Sequence, residues 1–254
     1  MTTAVADAHA ADGDVPADAP ELGPATVQLL SRACGVPLAA FAPAHVARTV
    51  ERTVQRQGLR GPGALADALV ADDDLRVRFR RAVAVSTTAM FRDADQFDLL
   101  SRQVPVLRAM AGGGPLRVWS AGASEGSEAC SVALLLDRAG DHGPAEILGS
   151  DLLAENVRAA RARADGRLPS ALRARVRFEQ RDVRRSAPRG PWHLVLCRNL
   201  VIHLTAAARR QVLDVVAGAV APGGLLLLGR SERTVRTDGL ALVEVGPNLY
   251  RRSA

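Results

Sequence analysis

VLCRNLVIHL (Val195–Leu204) and APGGLLLLGRSE (Ala221–Glu232), read as a pair, decide the architecture of this chain. The first is an apolar run that breaks off at a polar pair, Arg198-Asn199. The second is a Pro-Gly-Gly turn that launches another apolar run, Leu225–Leu228. Between them, Thr205–Val220 carries Val212, Leu213, Val216 and Val220 at helical spacing. Strand, polar tip, helix, turn and strand form the closing half of a doubly wound α/β sheet, in which ligands bind beyond the carboxyl ends of the strands.

Outward from that pair the same alternation continues. Strands are predicted at 116–121, 146–150, 176–180 and 193–197, with helices at 127–140 and 154–164. Such βαβ alternation specifies a mainly parallel sheet with right-handed crossovers. Extended segments at Ala241–Val245 and Asn248–Arg252 predict a C-terminal hairpin that supplies an antiparallel strand. Upstream, residues 22–93 predict a small all-helical domain with helices Ala25–Cys34, Pro43–Gln57, Gly63–Val70 and Asp73–Ala84, the last opened by the acidic cluster Asp72-Asp73-Asp74. Residues 94–115 read as a linking amphipathic helix to about Met110 and a Gly-Gly-Gly-Pro linker, and 116–254 as the catalytic domain. Residues 1–21 hold five acids and no base and predict a flexible acidic tail.

Composition narrows the function classes. No apolar run approaches the roughly 18–20 residues that span a membrane, and the N-terminus lacks the basic and apolar regions of a signal peptide. Three widely spaced cysteines and five histidines show no metal-ligand spacing, so no metal site is expected and a reducing cytoplasm fits. All 33 basic residues are Arg, and setting aside the acidic tail raises the formal charge from +6 to +11. Basic excess suits an acidic partner or nucleic acid, but 3% aromatic content argues against reading single strands by stacking. Residues 158–189 contain eleven Arg against three acids, which is either a solvated face of an Arg-biased composition or a surface for an acidic helix. No Cys/His or Walker arrangement is present, which removes cysteine-hydrolase and phosphate-transfer readings.

Polar residues recur at the strand ends. Gly122 and Gly126 lie in the loop after the first strand, four positions apart, so a G-x-G-x-x-G dinucleotide site is disfavoured. Asp151 ends the second strand, where it can accept ribose hydroxyls or cap the following helix. Asp182 follows the third strand and Asn199 the fourth.

In this order the motifs resemble the chemotaxis receptor glutamate methyltransferases, the CheR family, whose stretches read roughly CRNV-x-IYF, PGG-x-L-x-x-GHSE, SAACSTGEEPYS and N-x-T-x-F-F-R-E/D. The resemblance runs from about residue 25 to the end. It implies a Rossmann-like S-adenosylmethionine-dependent methyltransferase domain with a small N-terminal helical domain. It places Gly122 against the methionine part of the cofactor, Glu128 at its amino group and Asp151 on the ribose. Asp182 then meets the adenine amino group, Val183 packs on the ring, and Arg198-Asn199 reach the amino-acid end. The segment Ser86–Asp93 matches the family's lid, so that Ser86, Thr88 and Arg92 are cofactor contacts and Arg92 pairs with the methionine carboxylate. Taken alone, Arg92 can equally pair with Asp95 or Asp98 on a solvated helix.

Departures from the family pattern are specific. His203 stands where the family has the Tyr of IYF and is a candidate to orient the acceptor carboxylate. GHSE has become Gly229-Arg230-Ser231-Glu232, and Ala164–Arg175 is too short to hold the family's inserted three-stranded subdomain. The implied acceptor is a glutamate carboxylate on an acidic, helical, chemoreceptor-like protein of the cytoplasm. Two other functions share these motifs: methylation of a small molecule or RNA, and cofactor binding without catalysis.

Overall fold

The structure, a computed structural model, describes residues 22–86, 88–232 and 237–253; the expected acidic tail at 1–21 lies outside these. The chain begins with helices α1 (Pro24–Cys34), α2 (Pro43–Arg56), α3 (Pro62–Ala71) and α4 (Asp73–Val83). Three of the four open on a proline, where the missing N–H costs no helical bond. The fourth is capped by Asp72, whose carboxylate accepts the Leu75 N–H at 2.9 Å. A longer helix, α5 (Ala94–Met110), leads into the alternating half: β1 (Leu116–Ala121), α6 (Ser127–Arg138), β2 (Ala145–Asp151), α7 (Ala154–Arg167), α8 (Ser170–Arg173), β3 (Val176–Gln180), β4 (Trp192–Cys197), α9 (Ala206–Ala219), β5 (Val220–Leu228), β6 (Leu242–Gly246) and β7 (Leu249–Arg252).

The strands form one seven-stranded sheet in the order β3-β2-β1-β4-β5-β7-β6. All pairings are parallel except those of β7, which runs antiparallel to both β5 and β6. Strand order reverses direction between β1 and β4, and a crevice opens at such a switch point. Alternate residues of the central strands feed two cores. Trp119, Val195, Cys197, Leu226 and Leu228 face α9 and the N-terminal helices, with Leu30, Leu65, Leu69, Phe79 and Val83 in the same cluster. Val118, Leu194, Leu196, Leu225 and Leu227 face α5, α6 and α7. Burial on both sides explains why these strands read as unbroken apolar runs.

One expectation changes. The Pro-Gly-Gly does not precede its strand: β5 starts at Val220 and runs through it, with a shift of register against β4 between Trp192 and Leu194. Gly223 has φ +77°, and a Cβ on Gly224 would lie 2.8 Å from the His193 carbonyl, so the glycines permit a bulge within the strand. The four-residue α8 was not anticipated.

The helical unit is also stitched to the tip beyond β4. Phe41 and Leu204 form an antiparallel bridge. The Ala42 N–H donates to the His203 carbonyl, and the Thr205 N–H donates to the Ala40 carbonyl, each at 2.9 Å. Among the described residues, no helix is long and apolar enough to cross a membrane.

Candidate active site

At the switch point lies a cavity of about 570 Å3. The loop after β1 contributes Gly122, Ala123 and Ser124, and α6 contributes Glu128. Asp151 and Leu152 close the β2 end, and Asp182, Val183 and Arg184 the β3 end. From the β4 tip come Arg198, Asn199, Leu200, Ile202, His203 and Leu204, and from the helical unit Phe41, Val85, Thr88 and Arg92. Thr88, Arg92, Gly122, Glu128, Asp151, Asp182, Val183, Arg198, Asn199 and His203, all singled out from the sequence, line this cavity, whereas Ser86 and Gly126 do not; Thr87 lies outside the described residues.

The loop after β1 is shaped for close approach. Gly122 has φ +73°, and a Cβ there would press on Leu200 at 3.0 Å. Gly126, φ +80°, leaves no space either: a Cβ would lie 2.7 Å from that of Ala160. Ser124 Oγ is buried in the same loop without a hydrogen-bond partner among the described residues, a polar atom left for a ligand.

Asp151 both ties the backbone and faces the cavity. Its Oδ1 accepts the Leu153 N–H at 2.9 Å and the Asn156 amide at 3.0 Å, and its Oδ2 accepts the Ser124 N–H at 2.8 Å. A carboxylate offers about four lone-pair positions, so the remaining capacity is on Oδ2. Burial pushes its pKa up against the opposing pull of these donors. Ser86 stands behind this wall, its hydroxyl accepting from the same Asn156 amide at 2.9 Å. Asp182 is engaged as well. Arg184 grips it through Nε at 2.9 Å and Nη2 at 2.5 Å, and although burial works upward, these bonds and charge bring its pKa down.

Arg198 and Arg92 divide the cationic roles. The Arg198 side chain is 3% exposed and engages four acceptors. It donates to Gln96 Oε1 at 2.8 Å, Glu128 Oε2 at 3.2 Å, the Arg92 carbonyl at 2.6 Å and Asp93 Oδ2 at 2.9 Å. It thus organises the wall, and Glu128, which also accepts from Ser120 Oγ at 2.7 Å, is fixed by it. Arg92 forms no ion pair with Asp95 or Asp98; Asp95 faces Arg230 instead at 3.5 Å. His203 closes the far end from a short 3-10 turn, Val201–His203, its ring centroid 5.6 Å from that of His45.

Sequence reading missed Glu232. Completely buried, it accepts four backbone N–H groups: Gly229 at 2.6 Å and Asn199 at 2.9 Å on Oε2, Leu200 at 2.8 Å and Val201 at 3.0 Å on Oε1. This clamp holds the β4 tip, where Asn199 has φ +56°. A Cβ on Gly229 would lie 2.4 Å from Glu232 Oε2, which accounts for the glycine. The GRSE tetrapeptide was the available signal, but three of the four partners of Glu232 lie about thirty residues upstream. Among the described residues, no group of three or more His, Cys, Asp or Glu side chains could hold a metal ion.

Comparison with known proteins adds to this geometry. A family described as "CheR methyltransferase, SAM binding domain" matches residues 86–164 and 162–245, two segments that meet within α7. "Chemotaxis protein methyltransferase 1" of Pseudomonas aeruginosa is 27% identical over 263 residues, covering 88% of this chain and 94% of that protein. "Chemotaxis protein methyltransferase Cher2" of Pseudomonas putida is 27% identical over 238 residues, covering 80% and 86%. Among solved structures, the glycopeptide N-methyltransferase MtfA complexed with sinefungin aligns at 24% identity and a TM-score of 0.37, over 48% of this chain and 51% of that one.

Proposed function

The chain belongs to the CheR methyltransferase family, and from that membership we propose that it transfers the methyl group of S-adenosylmethionine to glutamate carboxylates of a chemoreceptor-like protein in the cytoplasm. The observation that carries the reading is the convergence of Gly122, Asp151, Asp182, Val183, Asn199 and Arg92 on one cavity at the switch point. The donor set suits the cofactor: a backbone cradle at Gly122, a carboxylate with capacity on Asp151, and an apolar Val183 beside Asp182.

When bound, S-adenosylmethionine supplies an electrophilic methyl group next to a positive sulfur. The protein's own contribution is placement. Asp151 accepts from the ribose, Val183 packs on the base, and Glu128 and Arg92 address the amino and carboxylate groups of the methionine end. His203 orients the acceptor carboxylate by a hydrogen bond. A glutamate is already ionised at neutral pH, so no general base is needed. Phe41, Val85, Ile202 and Leu204 keep water from the far end of the cavity, where opposite charges neutralise one another during transfer.

Only a short α8 separates α7 from β3, so recognition of the target falls to the cavity mouth and to the Arg-rich surface of α7, α8 and β3. There Arg173 is held by Asp165 at 2.5 Å and Arg175 donates to the Asp141 and His142 carbonyls, whereas Arg158, Arg167 and Arg177 are exposed. The test is transfer of labelled methyl groups from S-adenosylmethionine to a purified chemoreceptor signalling fragment. Base-labile label on glutamate supports the proposal; cofactor uptake without transfer to any receptor fragment refutes it.

A further inference from the structure

Asn156 lies near the start of α7 and is 1% exposed, an interior position on a helix whose neighbours Val157 and Ala160 are core residues. Its Nδ2 donates twice, to Asp151 Oδ1 at 3.0 Å and to Ser86 Oγ at 2.9 Å. Its Oδ1 is buried with no hydrogen-bond partner among the described residues. An unpaired buried carbonyl opposes folding, so an apolar side chain of similar size would serve packing better here. What the amide provides is the meeting of three elements at one nitrogen: the end of β2 through Asp151, α7 itself, and the segment that carries Ser86. That same segment presents Thr88 and Arg92 to the cavity.

We propose that Asn156 is a positioning residue for cofactor binding. Its amide occupies Asp151 Oδ1 and leaves Oδ2 for the ligand, and through Ser86 it fixes the separation between Asp151 and the segment bearing Arg92. The proposal rests on the S-adenosylmethionine reading, although Asn156 itself does not line the cavity. Other charges surround Asp151. Glu155 of α7 is met by Arg80 of α4 at 3.5 Å, and Glu125 of the glycine loop is held by Arg81 and Arg163. Arg181, Asp182 and Arg184 follow β3, and Arg92 stands on the lid side. Substitution at 156 leaves all of these in place, so a changed pH profile reports on the 151–156 pair.

The experiment is calorimetric binding of S-adenosylhomocysteine to the full chain, from mildly acidic to mildly alkaline pH. Asn156→Ala is expected to weaken binding on the order of tenfold, the size of one hydrogen bond to a charged group expressed as an equilibrium constant. In an Asp151→Ala background the same change should add nothing. Asn156→Asp keeps the shape but sets a second carboxylate against the first. At alkaline pH the two repel; at acidic pH they share one proton and the lost donor returns. Binding by this variant should therefore strengthen as pH falls, opposite to the unmodified chain. Ser86→Ala cuts only the second arm and should weaken binding less, with the pH direction unchanged.

Unchanged affinity in Asn156→Ala, a full further loss in the Asp151→Ala background, or an Asn156→Asp profile running in the wild-type direction would each overturn the proposal. If Asn156→Ala does not fold by circular dichroism, the isosteric Asn156→Asp and the Ser86→Ala variants decide it. Failure of the unmodified chain to bind S-adenosylhomocysteine overturns the functional reading instead.

Discussion

Replacing Glu232 with Gln tests whether one buried carboxylate builds the β4 tip. The substitution keeps the shape but leaves a single acceptor oxygen where two now receive four N–H groups. Whichever way the amide turns, its NH2 confronts two N–H donors, and two charge-assisted bonds are lost. At about 1.5–3 kcal/mol each, the gross loss is about 3–6 kcal/mol. Burial raises the pKa of Glu232 against the pull of its four donors, so a neutral side chain recovers part of that loss, and the lower end applies. About 3 kcal/mol corresponds to a fall of about 6–12 °C in the melting temperature of a chain this long. Since the freed tip carries Asn199, Leu200 and His203, cofactor affinity should fall as well. Thermal denaturation followed by circular dichroism reads the first effect and calorimetry the second. A variant that melts with the wild-type chain and binds S-adenosylhomocysteine equally well would refute the reasoning, because the four bonds would then contribute nothing to the tip.

Asp151→Ala should weaken S-adenosylmethionine binding by about 1.5–3 kcal/mol, the scale of a hydrogen bond to a charged group, and equal affinity in calorimetry would remove Asp151 from the site. The pKa of Asp151 is raised by burial, so its ionised form should be lost on acidification before that of an ordinary carboxylate. Cofactor affinity should fall with it, whereas its contribution to stability is present below the unfolded pKa and is lost as pH rises through the folded one. Binding measured across the acidic range should therefore weaken as pH falls, and that trend should vanish in Asp151→Asn. Deletion of residues 1–21 should leave binding intact and deletion of 1–93 should abolish it, which titration of the two truncated chains checks. Methylation of an acidic receptor fragment should fall steeply with salt, since attraction is screened over about 8 Å at physiological ionic strength. Charge reversal at the exposed Arg158, Arg167 and Arg177 should lower turnover without loss of cofactor affinity. Turnover insensitive to both would return the Arg excess to composition.

What could be read from the sequence was what is local. Apolar runs ending at Asp151 and Arg198-Asn199 marked strand tips, because a buried parallel strand must stop where polar groups begin. Helix starts were equally local: the first three were read at Ala25, Pro43 and Gly63, within one residue of the prolines on which they open. The supporting bonds were not legible, because they join distant residues with no pattern between them. Gln96 meets Arg198 across 102 positions, and Asn156 meets Ser86 across 70. Arg198, read as a cofactor contact, also donates to three other elements, which nothing in its sequence neighbours announces. Asp182, read as facing the adenine, lines the cavity and is also gripped by Arg184, two residues on. Its Arg-Arg context offered that pairing, but only the turn geometry after β3 brings it about.

The bridge between Phe41 and Leu204 bears on the order in which the protein is made. A ribosome delivers the helical unit early, but its backbone partners at the β4 tip emerge most of a chain length later. Until residues 203–205 arrive, the Ala42 N–H and the Ala40 carbonyl have no sheet-side partner. Neither do Leu65, Phe79 and Val83 have the strand faces against which their cluster closes. Such non-local closure is slow to form and leaves apolar surface exposed in the interval. A prematurely ended chain is therefore expected to be a substrate for chaperones and proteases rather than a partly active enzyme.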